Sequence, residues 1–256
     1  MRQIAVNSFK QYMSICANID ENRRRSDYVF RGLTNEKYEL VTSLQRLGHI
    51  HHEIGLLRNF YKYLAPEHQN NHMDFWDHLV LGQHHGLPTR IMDWTRSPLV
   101  ALHFALSNIE SSDVNGAVWM MNAAQIHSLS CALMPNAVSD KEKLLLTFPE
   151  LKKFFGKNPS LDTIDEKLSN NIILFAPPNI SERILQQASV FSLAGKAMHY
   201  HDLINEHDII TYKIIIPWSL KPKLRRILDQ LNINEATLFP GIEGVAAFLK
   251  RYYTEK

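Results

Sequence analysis

The sequence predicts an α+β fold, and three observations predict it. Strand-like and helix-like stretches both recur, but they do not alternate regularly, which argues against a doubly wound parallel sheet. The composition is that of an ordinary globular chain, with 45% hydrophobic and 21% charged residues. The 256 residues can bury a sizeable core without disulfide staples. The two cysteines, Cys16 and Cys131, are too few for a disulfide scaffold and read as free thiols. The expectation is one domain over residues 1–256, with a helical and looped insertion over about 123–170. A boundary near residue 110 would need a flexible linker, and none is visible.

Each element has its own signal. Residues 8–22 place Phe9, Met13, Ile15, Cys16 and Ile19 at helical spacing. Tyr28-Val29-Phe30 reads as a short strand running into Arg31-Gly32, and helical patterns return at 51–64 and 75–83. Residues 89–92 read as a strand. Residues 97–107 predict a helix, with Pro98 in its first turn and Leu99, Leu102, Ala105 and Leu106 recurring at helical spacing. Residues 116–121 read as a buried strand, and 123–168 as helix and loop broken by Pro135, Pro149 and Pro159. An apolar run follows at 171–175, then a strand at 187–193 and a β-branched strand at 209–216 stopped by Pro217. Helices at 221–231 and 244–252 close the chain.

Several function classes are excluded or disfavoured. No apolar run is long enough to span a membrane, and Lys10 interrupts any secretory hydrophobic region, so the expected location is the cytoplasm. The 28 basic and 26 acidic side chains give no polyanion signal. The short clusters Arg23–Arg25 and 221–226 read as solvated faces before they read as nucleic-acid contacts. There is no Gly-rich phosphate loop, His-Glu-x-x-His, Gly-x-Ser-x-Gly or Cys-x-x-Cys. His51-His52, His84-His85, His72 and His78 lack the spacing of a zinc site, so no metal is expected.

Three stretches carry candidate chemistry. The densest runs from Gly82 to Pro98 and includes Gln83, His84, His85, Thr89, Arg90, Asp93, Trp94, Thr95 and Ser97. Asp93, Thr95 and Ser97 suit the capping of the next helix, but so many polar groups exceed what a cap needs. The second is Phe30-Arg31-Gly32. An arginine ending an apolar strand must pair with a carboxylate, snorkel, or bind an anion. Asp93 is one available partner, and Gly32 would let a ligand approach the backbone. The third begins at Arg183 and runs through Gln187 and Ser189 to Phe191. Gln187 would either face a cleft or be an edge-strand amide in water.

Together these stretches resemble the FRG-domain family, named for the tripeptide present as Phe30-Arg31-Gly32. The resemblance continues through Ser43-Leu44-Gln45-Arg46, is most specific from Gln83 to Thr95, and extends through Ala101–Ala105, Arg183…Gln187…Phe191 and Leu238–Gly244. The family pattern is similar to that of the ADP-ribosyltransferase superfamily, by analogy rather than by spacing alone. That resemblance implies a split mixed or antiparallel sheet with surrounding helices, and NAD as substrate. It implies that Arg31 holds the pyrophosphate or a ribose, with Gly32, His84, His85, Thr89 and Arg90 lining the NAD cleft. Thr95 and Ser97 would form the strand-to-helix corner with Asp93. Gln187 falls where such enzymes carry a catalytic glutamate, and Ser189 where the family often has glycine. A neutral amide orients a ribose hydroxyl but supplies no charge, so Asp93 or Glu182 could provide the carboxylate. The resemblance further implies a protein, RNA or DNA acceptor and a toxin or antiviral role. The alternative is a nucleotide- or nucleic-acid-binding module that cleaves nothing.

Overall fold

A computed structural model describes residues 1–17, 28–48, 52–64, 73–107, 113–138, 143–178, 182–195 and 199–254. Arg23–Arg25, His51, His72 and the end of the predicted first helix lie outside the described residues. The strands are β1 (Arg2–Ala5), β2 (Tyr28–Leu33), β3 (Ile91–Thr95), β4 (Gly116–Asn122), β5 (Ile172–Phe175), β6 (Ser189–Ala194) and β7 (Thr211–Ile216). They form one seven-stranded mixed sheet in the order β1-β7-β4-β2-β3-β6-β5. Among these strand pairings only β1–β7 is parallel, and strands from both sides of residue 110 are interleaved in the one sheet. The molecule is therefore α+β.

The helices are α1 (Phe9–Ala17), α2 (Ser43–Arg46), α3 (Glu53–Tyr63), α4 (Phe75–His84), α5 (Pro98–Ala105), α6 (Ala123–Leu133), α7 (Phe148–Phe155), α8 (Leu161–Leu168), α9 (Glu182–Gln186), α10 (Tyr200–Glu206), α11 (Lys221–Gln230), α12 (Glu235–Leu238) and α13 (Ile242–Thr254). The sequence patterns locate most of these elements. They miss β1, α2, α9, α10 and α12, which are four to seven residues long and too short to establish a period. The largest displacement concerns Gln187. It lies in the turn after α9, two residues before β6 begins, and not on the strand.

Side chains alternate across the pleat. Tyr28 and Phe30 of β2 join Met120, Ile214 and Leu102 in a core beneath α1, α5 and α11. Val29 and Leu33 face the other way, toward Trp94, Trp119 and Tyr200. A third core, with Trp76, Leu151, Phe175 and Phe191, gathers α4, α7 and α8 around the β3-β6-β5 end.

The centre of the sheet is its weakest seam. β2 and β4 share six register pairs and β3 and β6 share five, yet β2 and β3 share one, Phe30 with Thr95. Beyond that rung the two half-sheets diverge. Among the described residues, no helix is long and apolar enough to cross a membrane.

Candidate active site

The seam opens into a cavity of about 220 Å³, open on one side. Its walls include Arg31, Gln83, His84, Asp93, Thr95, Arg183, Gln187 and Ser189, with Phe104, Ile184 and Phe191 as apolar surfaces. All three stretches singled out in the sequence meet here.

The long polar motif builds its own supports. Helix α4 starts on Asp74, whose carboxylate accepts from the Trp76 and Asp77 amides. It ends in a Schellman turn. Gly86 takes φ 82°, the Leu87 amide donates to the Gly82 carbonyl at 2.9 Å, and the Gly86 amide donates to the Gln83 carbonyl at 3.0 Å. That turn fixes Gln83 and His84 on the last turn of α4, beside β3. At the far end of β3, the Thr95 hydroxyl accepts the Ser97 amide and the Ser97 hydroxyl accepts the Val100 amide, starting α5. Ser97 thus acts as a helix cap, as its position before α5 suggests, and does not line the cleft.

Asp93 is the charged focus. Gln83 Nε2 donates to its Oδ2 at 2.6 Å. Arg31 Nη1 donates to the Asp93 backbone carbonyl and lies 4.0 Å from Oδ2. The Arg–Asp pairing anticipated for Arg31 is therefore present. The Asp93 side chain keeps 55% of its surface, which faces the cleft, and the surrounding walls partly desolvate its carboxylate. This loss of solvation raises the Asp93 pKa above the ordinary carboxylate value, against the opposing pull of Arg31, the Gln83 hydrogen bond and Arg183. Burial likewise disfavours the charge on Arg31, and Asp93 offsets it.

Gln83 cannot turn its amide around. The Thr89 hydroxyl donates to Gln83 Oε1 and accepts the Ile91 amide at 3.4 Å, so Nε2 is the atom left to face Asp93. Thr89 is wholly buried and acts behind the cleft, where the sequence reading had it lining the cleft wall.

Other expectations are corrected as well. Arg90 is 7% exposed, and its Nε donates to Glu53 Oε2 at 2.6 Å and its Nη1 to Asp165 at 3.0 Å. It ties α3 and α8 to the start of β3 and does not line the cleft. His85 is exposed, with its ring 6.3 Å from that of Phe60, and only its neighbour His84 reaches the cleft. Burial, Arg183 and His85 all lower the His84 pKa. Gly32 does border the cleft, but the close approach it permits is to a helix. A Cβ there would lie 1.9 Å from the Ala101 carbonyl oxygen of α5.

Gln187 reaches the cleft from its turn. Its Nε2 donates to the Leu238 carbonyl at 2.9 Å, and its backbone carbonyl accepts the Thr95 hydroxyl at 2.6 Å. The next residue, Ala188, has φ 46°, a left-handed conformation that costs a non-glycine residue about 1–2 kcal/mol. Glu182 is exposed at the start of α9 and does not line the cleft.

Two contributors carried no assigned role in the sequence. Gln83 is ten residues from Asp93, a separation no periodic pattern links. Arg183 lies with its guanidinium carbon 4.9 Å from the Phe239 ring centroid, a contact across more than fifty residues. Behind the sheet, Trp94 Nε1 donates to Ser192 Oγ at 2.8 Å, and Ser192 shares a 2.7 Å hydrogen bond with Tyr200, holding β3 and β6 rigid at the cleft floor. Among the described residues, no group of three or more His, Cys, Asp or Glu side chains is placed to hold a metal ion.

Comparison with curated proteins and with solved structures finds no match to this chain. Comparison with protein families finds one: residues 26–114 match the FRG domain, a segment that holds β2, the long polar motif and helix α5 but not the α9–β6 side of the cleft.

Proposed function

We propose that the cleft binds NAD and breaks its nicotinamide–ribose bond, passing ADP-ribose to an acceptor or to water. The observation that carries this reading is the position of Asp93, a carboxylate held between Arg31 and Gln83 at a seam where a mixed sheet divides. A sheet split at its centre is also what the likeness to ADP-ribosyltransferases implies. As the glycosidic bond breaks, nicotinamide leaves with the bonding electrons and positive charge builds on the ribose carbon. A fixed carboxylate stabilises that charge and accepts the proton of the incoming nucleophile. Asp93 supplies this carboxylate in place of the glutamate that Gln187 replaces.

The size of the cleft suits part of the substrate. At about 220 Å³ it is smaller than the 300–1,000 Å³ typical of pockets enclosing a whole ligand. It accommodates the nicotinamide-ribose end, with the rest of NAD along the open side. In this reading the Gln187 amide, anchored on Leu238, orients a ribose hydroxyl through its remaining oxygen.

The neutral Gln187 also favours a second reading, a nucleotide-binding module without turnover. Asp93→Asn separates the two. The enzyme reading expects nicotinamide release by the wild type and a loss of about 100- to 1,000-fold in the variant. Wild-type protein that binds NAD and releases no nicotinamide with any acceptor supports the binding module.

A further inference from the structure

We infer that Arg183, laid against Phe239 at the cleft wall, is the binding site for the diphosphate of the ligand, and that Arg31 is not. The inference deepens the NAD reading and rests on it for the identity of the whole ligand, but the anion site has its own test.

Two arginines line the cleft and their commitments differ. Arg31 is spent on β3, since its Nη1 holds the Asp93 carbonyl and its charge faces the Asp93 carboxylate. Arg183 has no carboxylate within salt-bridge distance among the described residues. Among the described residues its guanidinium makes one hydrogen bond, from Nη1 to the His84 carbonyl, and that is long at 3.4 Å. A half-buried guanidinium normally finds an anion at hydrogen-bond distance; among the described residues Asp93 acts on Arg183 only from further off, which leaves the fork open to a ligand anion.

Its setting suits a ligand. Phe239 supports one face of the guanidinium at 4.9 Å, which fixes the plane while leaving edge N–H groups to donate. A planar fork of donors matches two oxygens of a phosphate. The charges agree with this. Among the described residues the cleft holds two arginines against one carboxylate, and His84 is shifted toward its neutral form, so their net charge is positive. Asp93 sits at the divided seam, and Arg183 comes from α9 on another wall. One ligand can therefore place its ribose at Asp93 and its diphosphate at Arg183.

The test is calorimetric titration of the full chain with inorganic pyrophosphate, and separately with NAD. Arg183→Met keeps an unbranched stem against Phe239 and removes only the charged fork. Arg183→Lys keeps the charge without the fork. The expected result is pyrophosphate binding by the wild type, at least tenfold weaker in Arg183→Met and intermediate in Arg183→Lys, with unchanged melting temperatures. Equal pyrophosphate affinity in wild type and Arg183→Met overturns the assignment. So does a wild type that binds NAD but not pyrophosphate. Pyrophosphate binding that depends on Arg183 in a protein that ignores NAD keeps the anion site and removes the NAD reading instead.

Discussion

Asp93 is the residue on which the proposed chemistry turns, and its environment sets opposite expectations for activity and stability. Confinement in the cleft raises its pKa, so the folded state holds this proton more tightly than the unfolded chain. The stabilising effect of that protonation is complete below the unfolded pKa and is lost as pH rises through the folded one. At pH 7 the ionised carboxylate therefore works against folding. Asp93→Asn should match or exceed the wild-type melting temperature at pH 7, while its nicotinamide release collapses. A thermal melt paired with a turnover assay reads both. The wild-type rate should fall on acidification with a midpoint above the ~3.9 of a free aspartate, and a pH–rate profile checks this. Arg90 provides the contrast. It is buried on Glu53 and Asp165 away from the cleft, so Arg90→Ala should cost about 3–5 kcal/mol of stability by stranding Glu53. At a temperature where that variant stays folded, its NAD affinity should equal that of the wild type.

At the scale of elements, the cleft depends on how closely α5 lies on β2. Gly32 makes that approach possible. A methyl group there would overlap the Ala101 carbonyl oxygen at 1.9 Å and crowd the Ala105 amide nitrogen at 2.7 Å. Backbone atoms cannot step aside as a side chain can, so Gly32→Ala should lose about 1–3 kcal/mol in chemical denaturation and weaken NAD binding as β2 shifts. The same close approach explains which parts of the fold were legible in the sequence. Tyr28 to Gly32, the helix after Pro98 and the β-branched run ending at Ile216 announce themselves by local pattern, because each buries a continuous face. β1 does not, since it is an exposed edge strand of four residues held by parallel pairing with β7, more than two hundred residues away. Gln187 misleads for a related reason. Its alternation with Ser189 and Phe191 looks like a strand, but the chain first completes α9 and turns through Ala188 at positive φ. Within the site, the sequence brings Arg31, Asp93 and Gln187 into view as a set. It gives no sign that Thr89 fixes the Gln83 amide, or that Phe239 backs Arg183, because those contacts are set by tertiary packing.

Across the whole molecule, a buried hydrogen-bonded pair and a neighbouring part-buried ion-pair cluster tie the body of the domain to its C-terminal helices. His103 on α5 takes Arg225 of α11 on its Nδ1 at 2.7 Å, and Arg251 of α13 pairs with Asp229 and Glu235 at 2.7 and 2.8 Å. Burial first, and then Arg225, push the His103 pKa down to about 3. The unfolded chain binds that proton near pH 6.5, so stability is present above that value and is lost as pH falls toward 3. Between pH 7 and pH 5 the loss should be about 2 kcal/mol, and His103→Gln should flatten it in denaturation curves taken across that range. The His103–Arg225 pair holds α5 against α11, and α5 in turn packs against the divided sheet at Gly32. If the divided sheet holds NAD, calorimetric titration of the full chain with NAD, with nicotinamide release followed in the same sample, should show saturable binding and released nicotinamide, and the release should be abolished in Asp93→Asn. No heat of binding and no nicotinamide at millimolar NAD would contradict this reading.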